Sequence, residues 1–522
     1  MFNKFLSKKR NIFGLEVKDW ALLIIGLSVF VVISLWTITK SSIWFDEAFG
    51  AYMIRFNFWE IARYTGTDVH PPLYYWLLKC WGMMFGNTEL ALRSMSVFFG
   101  AIAIIFGYLL TNKLFNKNAA RISLLFMSLS PMLVRYAQEM RMYTLVAAIA
   151  LAATYTLVIA LESKKKLPWI VYGVLVALGM WTHYFSAIVW IAHWIWQADN
   201  VRRVAGKGKF IKEFFSKNWI TAYVVAIAVY SAWIPVFLVQ SQVVQYFGFW
   251  IPAVTPDTLI NFLTNVIFYQ DVGLVNGWFA LGLAAIIILV VYLGIKIYKS
   301  MNDKERQNYR LIMAVAFLPV LIIFVLSMPP LRSMFVDRYL VPAVPFIAMF
   351  IGITLALGAK FIKIKWRVLG IAIVTVFMVV GVGNVWYYGN YSKTSNASNN
   401  TREIFDNVAA KSEAGQPIIA DSPWLFYEAS FYSTEQHPVY FIDANTSYGF
   451  GSLDMLKYND QSKIKDIKQF TNDHPTVWYM GLPRGGDFSA PYSDWQAIQT
   501  IETRDTINGK PSYKAIQYKV EN

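Results

Sequence analysis

Acidic, imidazole and guanidinium side chains recur in this chain at the ends of long apolar runs, where lipid makes an ionisable group costly. Phe45-Asp46-Glu47-Ala48 follows the first such run, and Thr67-Asp68-Val69-His70-Pro71-Pro72-Leu73 follows after about twenty residues. Arg135-Tyr136-Ala137-Gln138-Glu139-Met140-Arg141-Met142-Tyr143 separates two further runs, and Trp181-Thr182-His183-Tyr184 separates another pair. Arg332 and Asp337-Arg338-Tyr339-Leu340 precede a late run that contains Pro342 and Pro345. A carboxylate within hydrogen-bond reach can deprotonate an attacking hydroxyl. Arginine grips phosphate through a planar fork of donors. A departing phosphate is a weak base and needs charge stabilisation rather than a general acid. One base and several cations are therefore a sufficient set for a reaction on a lipid-linked anion. Plainer readings stand beside this one. Asp46 or Glu47 can simply cap the helix that follows, and Glu139 can be half of an internal ion pair. Tyr74, Tyr75 and Trp76 suit an interfacial aromatic belt, and a lone histidine such as His70 or His183 is more often structural. No Walker or Rossmann glycine motif for a soluble nucleotide is present.

The elements that position these residues are membrane spans. Hydrophobic residues make up 56% of the 522 and charged ones only 15%, against roughly a quarter charged in soluble domains. Apolar stretches of about twenty residues, the length that crosses a hydrocarbon core, predict about eleven spans. They fall near 20–39, 90–112, 119–134, 140–161, 168–183, 184–199, 218–240, 276–298, 309–328, 338–358 and 366–387. The first, uncharged from Trp20 to Thr39, is too long for a signal-peptide core and reads as an uncleaved span. Alternate connecting segments, starting with 1–19, hold 26 Lys or Arg, whereas the opposite set holds 8 and the loop 241–275 none. This asymmetry places the N-terminus in the cytoplasm and, with an odd number of spans, the C-terminus outside. All the motifs above then fall on the outer face. The net charge of +15 gathers in the short inner loops, which argues against nucleic acid as its partner. Cys80 is the only cysteine, so no intramolecular disulfide forms.

Composition changes near Gly389. A transmembrane domain over 1–388 gives way to a polar linker over 389–401 and a small soluble α/β domain over 402–522. Within the latter, Arg402–Ser412 has helical spacing, Pro417–Ala420, Pro438–Ile442 and Thr476–Met480 read as strands, and Asp454–Phe470 is again helix-like. Asn396, Asn399 and Asn445 begin glycosylation sequons.

The order of the motifs carries a resemblance. Asp-Glu after span one, His-Pro-Pro-Leu later in that loop, Tyr-Ala-Gln-Glu-x-Arg-x-Tyr in loop two and Arg-Tyr-Leu-x-Pro-x-x-Pro at a late span resemble the GT-C glycosyltransferases of family 39. That family includes protein O-mannosyltransferases and lipid A aminoarabinose transferases, and the similarity spans roughly 20–350. It implies a polytopic α-helical membrane protein of GT-C type with an extracytoplasmic α/β domain, in a bacterial plasma membrane. It also implies transfer from a polyprenyl-phosphate sugar donor to an extracytoplasmic acceptor hydroxyl. The implied base or acceptor-orienting acid is Asp46, supported by Glu47, with Glu139 as the second-loop acid. Arg338 and His70 are implied at the donor phosphate, joined by Arg135 and Arg141. Asp68, Tyr136, His183 and Tyr339 are further site candidates. Aminoarabinose transferases have Glu-Lys before Pro-Pro where this chain has Val69-His70, so one expected metal position is missing. A divalent cation held by Asp46, Glu139 or His183 stays an open option, zinc or manganese suiting such ligands better than calcium. The alternatives are a lipid-linked sugar transporter or flippase, and a membrane-anchored binding protein acting through its tail.

Overall fold

In lipid every backbone N–H and C=O must be satisfied within its own segment, so the apolar runs become helices. The computed structural model describes residues 15–204, 207–247, 251–269, 277–389, 391–392, 397–443, 451–482, 488, 491–505 and 509–520. Among these, eight helices are long and apolar enough to cross a membrane. They are Val17–Leu35, Glu89–Leu114, Tyr143–Glu162, Lys217–Gln242, Phe279–Ser300, Asp303–Leu326, Asp337–Lys360 and Ile364–Tyr388. The chain is a multi-pass membrane protein.

The other three expected spans take different forms. Residues 119–134 are not one helix: Lys117–Ser128 ends and Pro131–Ala137 begins anew, because proline disfavours helical backbone at the residue before it. Leu167–Thr182 has 16 residues, about 24 Å of helix against a core of about 30 Å. Ser186–Val204 carries Asp199, Arg202 and Arg203 in its last turns.

Two compact units emerge. One comprises Met1–Trp36 with Arg93–Tyr387, the other Thr37–Leu92 with Tyr388–Asn522. The segment that follows the first span thus folds with the C-terminal residues. At the centre of the helical unit lie Asp337–Lys360 and Tyr143–Glu162, 89% and 78% buried over their apolar windows, against 22% for the first span. Small residues let helices of this unit approach closely, as membrane packing requires. A Cβ on Gly173 would sit 2.2 Å from the Ala222 carbonyl oxygen, and one on Gly352 would sit 2.7 Å from the Ser123 nitrogen. His193, fully buried in this unit, lies 3.0 Å from both the Thr154 and the Tyr172 hydroxyls.

In the second unit, helices Phe45–Met53, Phe58–Gly66 and Leu73–Phe85 accompany a six-stranded sheet. Its order is Lys463–Ile464, Val439–Ile442, Ile418–Ala420, Thr476–Gly481, Pro511–Val520, Trp495–Arg504. The first four strands run parallel, and the last two add an antiparallel hairpin. Three expected strands and the helix Thr401–Ala409 are present. Asp454–Phe470 is not a helix. It is a 3-10 turn at Gly451–Leu456, a strand at Lys463–Ile464 and a helix only from Ile467 to Asp473. Local polar bonds compete with helix here: Asn459 accepts from Ser462 N at 3.2 Å, and Asp466 caps the late helix through Lys468 N and Gln469 N. The helix Pro423–Tyr432 and the C-terminal hairpin complete the domain. Within the expected linker, residues 390 and 393–396 lie outside the described residues, as do Asn396 and Asn445.

Candidate active site

In the helical unit the break at Pro131 has a consequence for chemistry. Arg135 and Tyr136 ride on the short helix Pro131–Ala137 rather than in a loop. Arg135 forms an ion pair with Glu139 at 2.9 Å, its side chain 16% exposed and the carboxylate's 7%. The Ser96 hydroxyl donates to the Glu139 carbonyl at 2.5 Å, within reach of the Arg141 carbonyl too, and so braces the turn from the neighbouring span. Gln138 donates to the Ser34 carbonyl at 2.8 Å, tying the same turn to the first span. Arg141 is buried.

From this turn a run of rings leads to the late span. Tyr136 packs edge-on to Tyr143 at 5.3 Å, and Tyr143 meets His183 at 6.2 Å. His183 lies 5.2 Å from Tyr339, which stacks on Phe185 at 4.6 Å. The Arg338 guanidinium sits 5.7 Å over the Tyr339 ring. Pro342 and Pro345 shape this segment: Asp337–Ala343 is a 3-10 helix, and the α-helix starts only at Val344. Asn265 donates to Asp337 at 2.6 Å and fixes the turn beside Arg338. Arg135, Tyr136, Glu139, His183, Arg338 and Tyr339 thus belong to one connected cluster. Sequence reading missed Tyr143, Phe185 and Asn265 as parts of it. Tyr143 was visible at the end of its own motif, but nothing local marks Asn265.

The remaining candidates lie in the second unit. Asp46 and Glu47 occupy the first turn of Phe45–Met53, where the helix dipole favours negative charge. Glu47 is fully buried and accepts from Trp44 N at 3.4 Å. The capping role therefore falls to Glu47, while Asp46 stays partly exposed. Asp68 and His70 pair at 3.0 Å through Nδ1, two residues before Pro72, the residue that precedes helix Leu73–Phe85. A proton on Nδ1 donating to Asp68 leaves Nε2 to face other groups.

The second unit also buries a carboxylate that sequence reading passed over. Glu428 accepts from the Thr401 hydroxyl at 2.6 Å and the Tyr513 hydroxyl at 3.2 Å. Both hydroxyls also face the Asn399 amide oxygen, so two protons serve four acceptor contacts and a proton on Glu428 supplies a third. Burial pushes the Glu428 carboxyl up to about 7 from an ordinary 4.5. The hydrogen bonds from Thr401 and Tyr513 oppose that rise, and the nearby Glu47 and Asp421 carboxylates add to it. Because the folded value is raised, this stabilisation is full below about pH 4.5 and is lost as pH rises through 7. The shift corresponds to about 3 kcal/mol. Glu428→Gln keeps an acceptor and a donor in place. Thermal unfolding of the purified protein between pH 5 and 8 should fall with pH in wild type and much less in the variant. Equal slopes would show that Glu428 ionises without penalty.

Among the described residues, no three His, Cys, Asp or Glu side chains gather into a group that could hold a metal ion, and Glu139 is bound to Arg135.

Residues 69–235 match the family model for dolichyl-phosphate-mannose-protein mannosyltransferase. A search of curated proteins returns no match. ArnT from Cupriavidus metallidurans, solved in the apo state, is similar over 96% of this chain and 98% of its own, with TM-score 0.61 and 12% identity. The same protein bound to undecaprenyl phosphate gives 0.58 and 13% over the same shares. The Archaeoglobus fulgidus oligosaccharyltransferase tethered with an acceptor peptide containing the NVT sequon gives 0.50 and 13%, over 80% of this chain and 63% of that one. This chain is a membrane protein of the GT-C fold, and its residues 69–235 carry the sequence pattern of the dolichyl-phosphate-mannose-protein mannosyltransferases.

Proposed function

We propose that the protein is an inverting glycosyltransferase that moves a sugar from a polyprenyl-phosphate donor to an acceptor hydroxyl outside the cytoplasm. The observation that carries this reading is the cluster in the helical unit. It joins a buried carboxylate, arginines, His183 and tyrosines on the fold of a protein solved with undecaprenyl phosphate. The charge asymmetry of the loops supports an N-terminus in the cytoplasm and a C-terminal domain outside.

In this mechanism Asp46 takes the proton of the acceptor hydroxyl, and the oxygen attacks the anomeric carbon. The bond from that carbon to the phosphate oxygen breaks, and its electron pair leaves with the phosphate. Arg338, Arg135, Arg141 and His70 offset the charge that develops there. Glu139 orients Arg135 through their ion pair. The domain over 402–522 serves the acceptor side.

The protein reconstituted in lipid, given radiolabelled polyprenyl-phosphate sugars and envelope extract, should move label to a product with the opposite anomeric configuration. Label that crosses the bilayer while still on its lipid would instead mark a transporter.

A further inference from the structure

The segments that carry Asp46 and His70 are held from far along the chain. Ile43 lies three residues before Asp46 and is fully buried. Its N–H donates to the Tyr432 hydroxyl at 2.9 Å, and its carbonyl accepts from the Asn399 amide at 2.8 Å. Both backbone groups are thus taken by side chains of the C-terminal domain. The Tyr432 hydroxyl in turn donates to Glu89, whose other oxygen forms an ion pair with Arg402. Arg402 continues along the same segment: its N–H donates to the Ser42 hydroxyl at 3.1 Å and its guanidinium to the Thr39 carbonyl at 2.9 Å. Behind them, the Tyr427 ring packs edge-on against Phe45, Phe49 and Tyr52 of the helix whose first turn holds Asp46. A second anchor holds the histidine motif. The Thr67 hydroxyl donates to the buried Asp454 carboxylate at 3.0 Å, and the Thr67 carbonyl accepts from Gly451 N at 2.7 Å.

The first N–H groups of a helix have no partner within it, so the start of a helix is held by contacts from elsewhere. Here the partners come from a domain that sequence alone separates from the motif. On the transferase reading above, we propose that the C-terminal domain is a positioning device for the reaction, with Tyr432, Arg402 and Asn399 setting Asp46 and with Asp454 setting His70. The two anchors act on different steps. The first places the base for attack and governs kcat. The second places a phosphate-binding group and governs the donor KM.

Tyr432→Phe and Thr67→Val each remove one hydroxyl and keep the shape. Tyr432→Phe should lower kcat about tenfold with donor KM unchanged, since a misplacement of about 1 Å is enough for such a loss. Thr67→Val should raise donor KM by a similar factor with kcat unchanged. Hydrogen exchange of the full-length protein supplies a readout that needs no activity. Tyr432→Phe should speed exchange at 43–48 alone, and Thr67→Val at 67–70 alone. The control Tyr440→Phe, on the sheet of the same domain, should move none of these quantities. Unchanged exchange at both segments overturns the proposal, as do kinetic losses that merely follow a fall in Tm in all three variants. If Asp46→Asn is inactive while both anchors behave as wild type, the positioning role fails and the transferase reading stands. If Asp46→Asn transfers normally, the reading of Asp46 fails, and exchange alone decides whether the anchors hold their segments.

Discussion

Asp46→Asn should give a protein that inserts and folds but transfers sugar roughly 10²–10⁴-fold more slowly, the range for loss of a positioned general base. Asparagine matches aspartate in size and cannot accept the acceptor's proton. The structural cost is small because the cap of this helix is Glu47, which accepts from Trp44 N. The loss of one first-turn charge is worth about 0.3–1 kcal/mol. Glu47→Gln should behave differently, lowering thermal stability along with rate, because that carboxylate is fully buried at the helix start. Initial rates at saturating donor, with a melting curve for each variant, separate the two. Wild-type transfer by Asp46→Asn would reduce Asp46 to a helix-dipole acid.

Arg338→Ala should lower kcat/KM by roughly 10²–10³, the scale for removing one preorganised donor to developing charge. Arg338→Lys should restore only part, since an ammonium is a point charge and lacks the planar fork. The geometry argues that this arginine is held rather than loose. Its guanidinium rests over Tyr339, which stacks on Phe185 and adjoins His183, and Asp337 beside it is bound by Asn265. Inhibition by free polyprenyl phosphate, the leaving product, offers an independent check. It should weaken in Arg338→Ala by about the same factor as the loss in rate. A variant that binds this lipid phosphate as tightly as wild type would assign Arg338 a packing role.

Much of this was legible because lipid imposes a simple rule on sequence. Eight apolar runs read as spans are spanning-length helices, and the strands at Ile418–Ala420, Val439–Ile442 and Thr476–Gly481 lie where short apolar segments pointed. The break before Pro131 was written in the proline itself but was overruled by continuous hydrophobicity. The helix Pro423–Tyr432 escaped because it is apolar on nearly every side and shows no period, although Ser422 before Pro423 is a good cap. Asp454–Phe470 misled for the opposite reason, since its spacing suits a helix while its Asn and Asp side chains bond their own backbone. Of the candidate chemistry, short motifs exposed Asp46, His70, Glu139 and Arg338. Glu89, Arg402, Tyr432 and Glu428 were illegible, because their roles come from partners far along the chain. Tyr432 and Glu89, for instance, are 343 residues apart in sequence.

The discontinuous unit built from Thr37–Leu92 and Tyr388–Asn522 sets a timetable for biogenesis. Its first half leaves the ribosome roughly 300 residues before its second, a delay of about 15–60 s at ordinary synthesis rates of about 5–20 residues per second. Throughout that interval Ile43, Tyr52 and Glu89 wait without the partners that later cover them. Nascent chains halted before the last span should therefore expose this segment to protease and to holding chaperones, and release on completion should bring protection in a single step.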